Sequence, residues 1–345
     1  MLIARAPVRI SLAGGGTDLE AYYSRFGGAV VSVTIDKYFY VLVSHSSGNH
    51  IQVSSSDYRT FFRHRMESPP LWDGDLRLPK AILQHFAIRS GLSVFLASQV
   101  PPGTGLGSSS TVAVALIKAM AVLSGLPLSR KEVAELACEI EIGLMGMPIG
   151  KQDQYAAAFG GLNYIEFGPE DVIVERLAVS DGTVSQLRER LLLFFTGLAH
   201  KSEEILGEQR RRSQEGHRPT VEALHAIKDI AIQTRAHLIA GDIRPIGDLL
   251  HRSWLAKRTL ALGVSDPVID RWYELALEAG ASGGKIVGAG GGGFLLLFCE
   301  PERQEVVSEV LAREGLIGMD FDFESGGAMV IMNNLVGWRP VAAHV

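Results

Sequence analysis

A segment rich in glycine and serine at residues 101–110 (PPGTGLGSSS) is the clearest candidate for chemistry in this sequence. Glycines let a chain turn its N–H groups toward one ligand, and a following helix adds the partial positive charge of its N-terminus. This combination predicts an anion site suited to the phosphates of a nucleotide. No lysine follows the last glycine, so the segment is not a Walker A loop. A plain turn that caps a buried helix is the alternative.

Glu141 is the second candidate, because its predicted place on a helix does not suit a surface residue. The helix opens at Ser129 with the capping-box pattern Ser-x-x-Glu, and residues 133–144 supply an apolar stripe. At about 100° per residue, Glu141 lies beside that stripe. The other acids of the helix face solvent: Glu132, Glu135 and Glu139. A ligand for a divalent metal and a boundary carboxylate that reaches water both remain open.

Asp153 is the third candidate, and it follows the link GMPIGK at the predicted start of another helix. An aspartate at a helix start often serves as its cap. A buried carboxylate near a metal-bound nucleotide could instead act as a general base. The pattern alone allows both roles.

A further glycine-rich stretch, residues 288–293 (GAGGGG), matches the spacing of a dinucleotide-binding fingerprint. That fingerprint requires a helix after the last glycine. Here the apolar run FLLLFC follows and predicts a strand, so the fingerprint is excluded. A loop packed close to a bound ligand is favoured over a tight hairpin, because successive glycines cost conformational entropy.

The elements that must position these segments combine strands and helices. Apolar and polar residues alternate in the first 60 residues and predict strands, whereas helical periodicity follows residue 110. The second half predicts a strand at 191–195, three helices between 201 and 261, and a helix opened by Asp266 and Pro267. These patterns predict an α+β fold with a domain boundary near residue 185.

Composition limits the class of protein. The 345 residues suggest about two domains, and 33 Lys+Arg against 38 Asp+Glu give a formal charge of −5. We expect no nucleic-acid partner, since phosphate neutralisation dominates such binding. Cys138 and Cys299 are predicted to be reduced core thiols. The apolar runs are shorter than the ~20 residues of a membrane helix, so we expect a cytoplasmic protein with no membrane association.

Three segments in this order, RAPVRISLAGGGTDL, PPGTGLGSSSTVAVAL and GGKIVGAGGGGF, resemble the signature motifs of the GHMP small-molecule kinases. The link GMPIGKQDQYAAAFGG resembles the catalytic-aspartate segment of that family. GGGTDL and GKQDQ are most similar to its D-glycero-D-manno-heptose 7-phosphate kinase branch. The resemblance implies a two-domain GHMP-kinase-like fold with the active site in the cleft between the domains. The expected domains are a ribosomal-protein-like, ATP-binding α/β domain at residues 1–185 and a ferredoxin-like α+β domain at residues 186–345.

The resemblance also implies roles for individual residues. Asp153 matches the general base, and Arg9 matches the basic residue that favours the alkoxide and keeps Asp153 a carboxylate. Glu141 and Ser109 would hold Mg²⁺. The residues expected at the sugar are Gly16, Thr17 and Asp18. Those expected around the phosphates of ATP are Pro101, Gly103, Gly105, Leu106, Gly107, Ser108, Ser109 and Ser110, with Gly290, Gly291 and Gly292 closing over them.

The implied reaction is transfer of the γ-phosphoryl group of ATP to the anomeric hydroxyl of a heptose 7-phosphate. The product would be a 1,7-bisphosphate used for nucleotide-activated heptose and surface-polysaccharide synthesis. An anomeric kinase for an unphosphorylated sugar, fucose-like or galactose-like, is one alternative. A sugar- and ATP-binding regulator without catalysis is another.

The sequence indicates less clearly which residues bind a phosphate on the sugar and the adenine of ATP. If the sugar already carries a phosphate, a basic side chain must receive it, and the candidates are Lys201, Arg210 and Lys257. Trp72 could stack on adenine or pin its loop to the core. Besides the small-molecule substrates, the only partner expected is a second copy of the chain in a homodimer.

Overall fold

The structure is a computed structural model of the chain, and it describes residues 1–46, 50–56, 60–65, 75–88, 91–198 and 202–335. The strands are β1 (Leu2–Ala13), β2 (Gly28–His45), β3 (His50–Ser55), β4 (Thr60–Arg65), β5 (Leu92–Ser98), β6 (Leu162–Phe167), β7 (Val172–Arg176), β8 (Leu191–Phe195), β9 (Ala281–Ile286), β10 (Phe294–Cys299), β11 (Ile317–Gly318) and β12 (Met329–Asn333).

The helices are α1 (Glu20–Phe26), α2 (Arg77–His85), α3 (Ser108–Leu123), α4 (Arg130–Cys138), α5 (Gln152–Phe159), α6 (Asp181–Arg190), α7 (Ser202–Gln214), α8 (Arg218–Ala240), α9 (Ile246–Lys257), α10 (Pro267–Ala279) and α11 (Gln304–Arg313). A π-helical turn covers Glu139–Leu144, and a 3-10 turn covers Pro301–Arg303.

The strands form two sheets. The larger has the order β12-β1-β2-β5-β3-β4, and β6 and β7 extend it from β2. Its pairs are antiparallel except for β3 with β5, which are parallel. The smaller sheet has the antiparallel order β11-β8-β10-β9. Mixed sheets with helices packed on them confirm the predicted α+β class.

Helix α3 is the central element of the first half. It begins at Ser108, directly after the glycine loop, as the sequence predicts. Most of its side chains are buried on all faces, because the helix packs on β1 and β2 as well as on α4 and α5. Its first turn therefore cannot shift without disturbing the core. The predicted capping box at the start of α4 is also present, between Ser129 and Glu132.

One apolar cluster joins the two sheets. Ile10 and Val33 of the larger sheet share it with Leu193 and Leu296 of the smaller sheet. Residue 185 lies inside α6, and the last described strand, β12, returns to pair with β1. The division into residues 1–185 and 186–345 therefore stays a prediction.

The segment before β12 covers the end of α5. The Ala328 N–H donates to the Ala157 carbonyl at 2.9 Å, and the Gly161 N–H donates to the Glu324 carbonyl at 3.1 Å. The Tyr38 hydroxyl of β2 donates to the Glu324 carboxylate. Residues 324–328 thus bond to the end of α5 and to the residues just after it, and α5 is the helix that carries Asp153.

Both cysteines are buried and unpaired, which confirms the prediction of core thiols. Among the residues that the structure describes, no helix combines the length and the apolar character needed to cross a lipid bilayer.

Gly160, at the end of α5, has no room for a side chain. Its φ is +68°, and a Cβ there would collide with the backbone of Gly326. We expect Gly160→Ala to lower the free energy of unfolding by about 1–3 kcal/mol because its φ of 68° and ψ of 162° suit only glycine, and by about 1–3 kcal/mol more for overpacking. Denaturant unfolding measures this change.

Gly125 provides the matched control, because its φ is +71° and nothing lies within 4 Å of the corresponding Cβ. Gly125→Ala is expected to lower the free energy of unfolding only through the backbone conformation, without the cost of overpacking. Equal losses in the two variants would show that the contact with Gly326 contributes nothing.

Candidate active site

The predicted segments meet around a cleft of about 490 Å³. Its wall combines the three glycine-rich segments with the start of α5 and the first half of α7. Arg9, Asp18 and Asp153 all lie in this wall. The structure thus brings together residues that are far apart in the sequence.

Arg9 connects three of these segments. Its Nε and Nη2 donate to Oδ1 of Asp153 at 2.8 and 2.5 Å, and its Nη1 donates to the Gly105 carbonyl at 2.5 Å. The register of β1 against β2 shifts between Pro7 and Arg9, as in a β-bulge. Bulges commonly redirect side chains near active sites. The buried guanidinium therefore fixes Asp153 relative to the glycine loop.

The loop at residues 101–110 forms one wall of the cleft. Gly103, Gly105 and Gly107 all have positive φ, between +69° and +82°, which explains why this loop needs glycine. A Cβ on Gly107 would lie 3.1 Å from the Asp153 carboxylate. The predicted residues that line the cleft are Gly103, Gly105, Gly107, Ser108, Ser109 and Ser110. Leu106 is buried in the core and Pro101 is exposed outside the cleft lining.

The third glycine loop touches the second. A Cβ at Gly105 would lie 2.5 Å from the Val287 carbonyl, and one at Gly293 would collide with the carbonyl of Thr104. Gly288 and Ala289 line the cleft. The predicted residues of this loop lie further back: Gly290 and Gly292 pack against Val264 and Leu198, and the Gly291 N–H donates to the Val264 carbonyl at 2.8 Å.

Asp18 also lines the cleft and is almost fully buried. Its Oδ1 accepts the Gly16 N–H at 2.9 Å, and its Oδ2 accepts the Gln152 N–H at 3.2 Å. Burial raises the pKa of Asp18, and the charge of Asp153 raises it further. Gly16 lines the cleft, whereas Thr17 is buried and uses its hydroxyl to bind the backbone of residues 14 and 29.

Glu141 is fully buried and therefore does not reach water, which excludes the boundary carboxylate that the sequence left open. It accepts hydrogen bonds from the hydroxyl of Ser110 at 3.1 Å and from Nε2 of Gln154 at 2.7 Å. Burial raises its pKa to about 8, although these two hydrogen bonds act in the opposite direction. Its serine partner is thus Ser110, while Ser109 is exposed in the cleft wall.

The prediction that Leu144 belongs to the apolar stripe is wrong, because its side chain is 68% exposed. The π-helical turn Glu139–Leu144 changes the angle between successive residues, so the α-helical projection fails after residue 139. Such turns are frequent at functional sites.

Two buried lysines add positive charge beside Arg9. Lys257 lines the cleft, and its Nζ donates to the carbonyls of Ile286, at 3.0 Å, and Gly288. Burial lowers its pKa to about 7, and the positive charge of Arg9 contributes. Burial also lowers the pKa of Lys285, with Lys257 and Arg9 adding to the effect. An anion in the cleft would relieve this repulsion.

The other predicted phosphate ligands are placed differently. Arg210 lines a separate surface cavity with Arg25, between α1 and α7. Lys201 and Trp72 lie outside the described residues.

Two family descriptions match the chain. Residues 77–161 match "GHMP kinases N terminal domain", and residues 220–316 match "GHMP kinases C terminal". The chain is a GHMP kinase.

This GHMP kinase is 35% identical over 329 residues to D-glycero-alpha-D-manno-heptose 7-phosphate kinase of Campylobacter jejuni, covering 94% of this chain and 96% of the relative. The crystal structure of a D-glycero-D-manno-heptose 1-phosphate kinase from Bacteroides thetaiotaomicron matches with 31% identity and a TM-score of 0.81, over 96% of this chain and 99% of that one. A putative sugar kinase from C. jejuni matches with 33% identity and a TM-score of 0.78, over 95% and 97%.

The family assignment confirms two sequence predictions. The enzyme class is that of an ATP-dependent kinase, and the fold is the two-domain α+β fold of the GHMP kinases. Galactokinase from Lactococcus lactis, at 20% identity and a TM-score of 0.72, shares this fold.

Three buried residues in or next to the candidate site were not among the sequence predictions. Gln152 and Gln154 flank Asp153 in the QDQ sequence, and Lys285 precedes the third glycine loop. Their position next to recognised segments was the available signal. Their burial and partners depend on contacts between distant segments, which no local pattern reveals.

The buried Glu141 predicts a pH dependence of stability. Its pKa is about 8 when folded and near the ordinary 4.5 when unfolded. Between these values the folded state holds a proton that the unfolded state has lost, so the free energy of unfolding falls as pH rises. We expect Glu141→Gln to remove a decline on the order of a few kcal/mol, most of it before pH 7. Urea unfolding from pH 5 to 7 with EDTA measures it.

Glu135→Gln is the matched control, since Glu135 is an exposed acid of α4, one element before Glu141. It should keep the wild-type slope. A Glu141→Gln slope equal to that of wild type would show that Glu141 is ionised in the folded protein across this range.

Proposed function

We propose that this GHMP kinase phosphorylates the anomeric hydroxyl of D-glycero-D-manno-heptose 7-phosphate. The product would be the 1,7-bisphosphate, used for nucleotide-activated heptose and surface-polysaccharide synthesis. One observation carries the proposal: Arg9 holds Asp153 in the cleft wall beside Gly107 and the first turn of α3. The 35% identity to the Campylobacter heptose 7-phosphate kinase supports the choice of sugar.

In this proposal the cleft binds ATP through the loop at residues 101–110. Backbone N–H groups at the start of α3 and the partial positive charge of the helix suit the β- and γ-phosphates. Lys257 would add charge beside Arg9, where it also donates to the carbonyl of Gly288. These groups would stabilise the charge on the transferred phosphoryl group.

Asp153 is the proposed general base. Its Oδ1 accepts both bonds from Arg9, and its carboxylate lies beside Gly107, so Oδ2 would be the atom that takes the proton. The acceptor oxygen would then bond to the γ-phosphorus as the β–γ bridging bond breaks, with ADP leaving. The proton of the hydroxyl passes to Asp153.

We propose that Mg²⁺ binds with the nucleotide: Ser109 lines the cleft, and the fully buried Glu141 is bonded to Ser110, which also lines it. In the described part of the chain no three His, Cys, Asp or Glu residues cluster as a metal site. Mg²⁺ bound with a nucleotide needs only one or two carboxylates besides phosphate oxygens. Glu141 and the hydroxyl of Ser109 would supply protein ligands, and a cation would favour the charged form of the buried Glu141. When bound, Mg²⁺ neutralises phosphate charge and orients the γ-phosphoryl group.

The identity of the sugar is tested by ADP release with a panel of acceptors. We expect the highest kcat/KM with D-glycero-D-manno-heptose 7-phosphate, since a heptose 7-phosphate kinase is 35% identical to this chain over 94% of its length. ³¹P NMR should show the new phosphate on the anomeric oxygen. A higher kcat/KM with free heptose, fucose or galactose would show that the acceptor is an unphosphorylated sugar. Binding of sugar and ATP without turnover would indicate a regulator.

Asp153→Asn tests the base. Loss of a general base typically lowers turnover by about 10²–10⁴-fold, and we expect a decrease of that size in kcat. The affinity for ATP should change by less than about threefold, since Asn keeps the side-chain shape. Asp242→Asn is the control, because Asp242 also pairs with an arginine, Arg244, at 2.7 Å but on the surface. Near-wild-type turnover by Asp153→Asn would exclude Asp153 as the base.

A further inference from the structure

Gln152 has an oriented amide in the wall of the cleft. The residue directly precedes Asp153 and is only 9% exposed. Its Nε2 donates to Oδ1 of Asp18 at 3.1 Å, and its backbone N–H donates to Oδ2 of the same carboxylate at 3.2 Å. These two bonds fix the direction of the side chain, with Oε1 turned away from Asp18.

That Oε1 atom is buried and accepts no hydrogen bond from any described residue. A buried acceptor without a donor costs roughly 1–3 kcal/mol. Native proteins therefore leave few such atoms unpaired, and the exceptions often mark a place for a ligand or water.

Gly15 keeps a side chain away from this part of the cleft wall. A Cβ on Gly15 would lie 3.2 Å from the hydroxyl oxygen of Ser11, 3.5 Å from Nε2 of Gln152 and 4.0 Å from its Oε1. The Ser11 hydroxyl is buried and also lacks a partner among the described residues. Gly15 and Gln152 both line the cleft. The unpaired acceptor thus belongs to a residue of the cleft wall where the neighbouring position has no side chain.

We propose that Gln152 determines acceptor specificity: its Oε1 accepts a hydrogen bond from a sugar hydroxyl adjacent to the one bound by Asp18. The ligand is a polyol with neighbouring hydroxyls, of which Asp18 and Gln152 each take one. This inference rests on the proposed function. It adds a residue that touches the sugar beside Asp18 and explains why an amide, rather than an apolar side chain, precedes the proposed base.

Gln154 offers a comparison within the same sequence. It is fully buried, does not line the cleft, and donates to Glu141 at 2.7 Å and to Ser110 at 3.1 Å. Its Oε1 is also buried without a partner among the described residues, so what separates the two glutamines is that only Gln152 lines the cleft. The donor bonds of Gln154 serve the proposed metal carboxylate. Changes at Gln154 should affect all acceptors alike, whereas changes at Gln152 should depend on which hydroxyl the acceptor carries.

The test is a series of acceptors that each lack one hydroxyl, assayed with wild type and Gln152→Met. Sites that hydrogen-bond a hydroxyl discriminate strongly against analogues that lack it. For one analogue we expect wild type to lose about 10–100-fold in kcat/KM, while Gln152→Met loses less than about threefold. The remaining analogues should lose the same factor in both proteins.

Gln154→Met is the control and should lower kcat by one common factor while keeping the wild-type pattern across the series. If wild type and Gln152→Met show the same pattern, the inference is overturned, and Gln152 only holds Asp18. The wild-type series is informative even if the variant does not fold. If no single hydroxyl deletion weakens binding to wild type more than threefold, the inference also fails.

Calorimetric binding of the same series, with a non-hydrolysable ATP analogue present, separates this inference from the proposed function. Sugar binding with the expected pattern but without turnover would support the role of Gln152 and refute the kinase reaction. Failure of wild type to bind any sugar would refute both. Turnover with an unchanged pattern in Gln152→Met would refute the role of Gln152 alone.

Discussion

The hydrogen bonds of Arg9 are the interaction on which the rest of the site depends. One buried guanidinium joins strand β1, the glycine loop through the Gly105 carbonyl, and helix α5 through Asp153. The Arg9 N–H also donates to the Leu106 carbonyl at 3.1 Å. A planar guanidinium with several donors in fixed directions can hold such a junction, whereas an ammonium group lacks this geometry. These bonds set the distance between the glycine loop at residues 101–110 and the proposed base.

Close backbone contacts carry this geometry to the smaller sheet. The second and third glycine loops meet at Gly105 and Gly288, where a side chain on either residue would collide with the other loop. Lys257 reinforces the contact by holding the carbonyls of Ile286 and Gly288. Glycine is required at these positions because two backbone segments approach each other closely, and also because glycine adopts positive φ freely. The cleft therefore has walls of fixed spacing.

The sequence predicted those helices and strands whose positions are determined by neighbouring residues. The start of α3 after a glycine loop, the capping box of α4, and strand β10 after the third glycine loop follow from residues close together in the chain. For Glu141 the sequence left both a buried and a water-facing carboxylate open, and the π-helical turn that contains it made the prediction for Leu144 wrong. The return of β12 to β1, the partners of Gln152 and the crowding of Lys257 and Lys285 arise from long-range packing. No spacing in the sequence encodes them.

The position of β12 has a consequence for the order of folding. Leu2 pairs with Asn333 at the edge of the larger sheet, and the residues just before β12 close over the end of α5. Contacts between residues so distant in sequence are slow to form, because a long loop must close before they contribute any stability. During synthesis, the segment that supports α5 leaves the ribosome long after the helix itself. Asp153 can therefore be held firmly in place only after residues 324–328 have been made, and a growing chain that has not reached them lacks this support for α5.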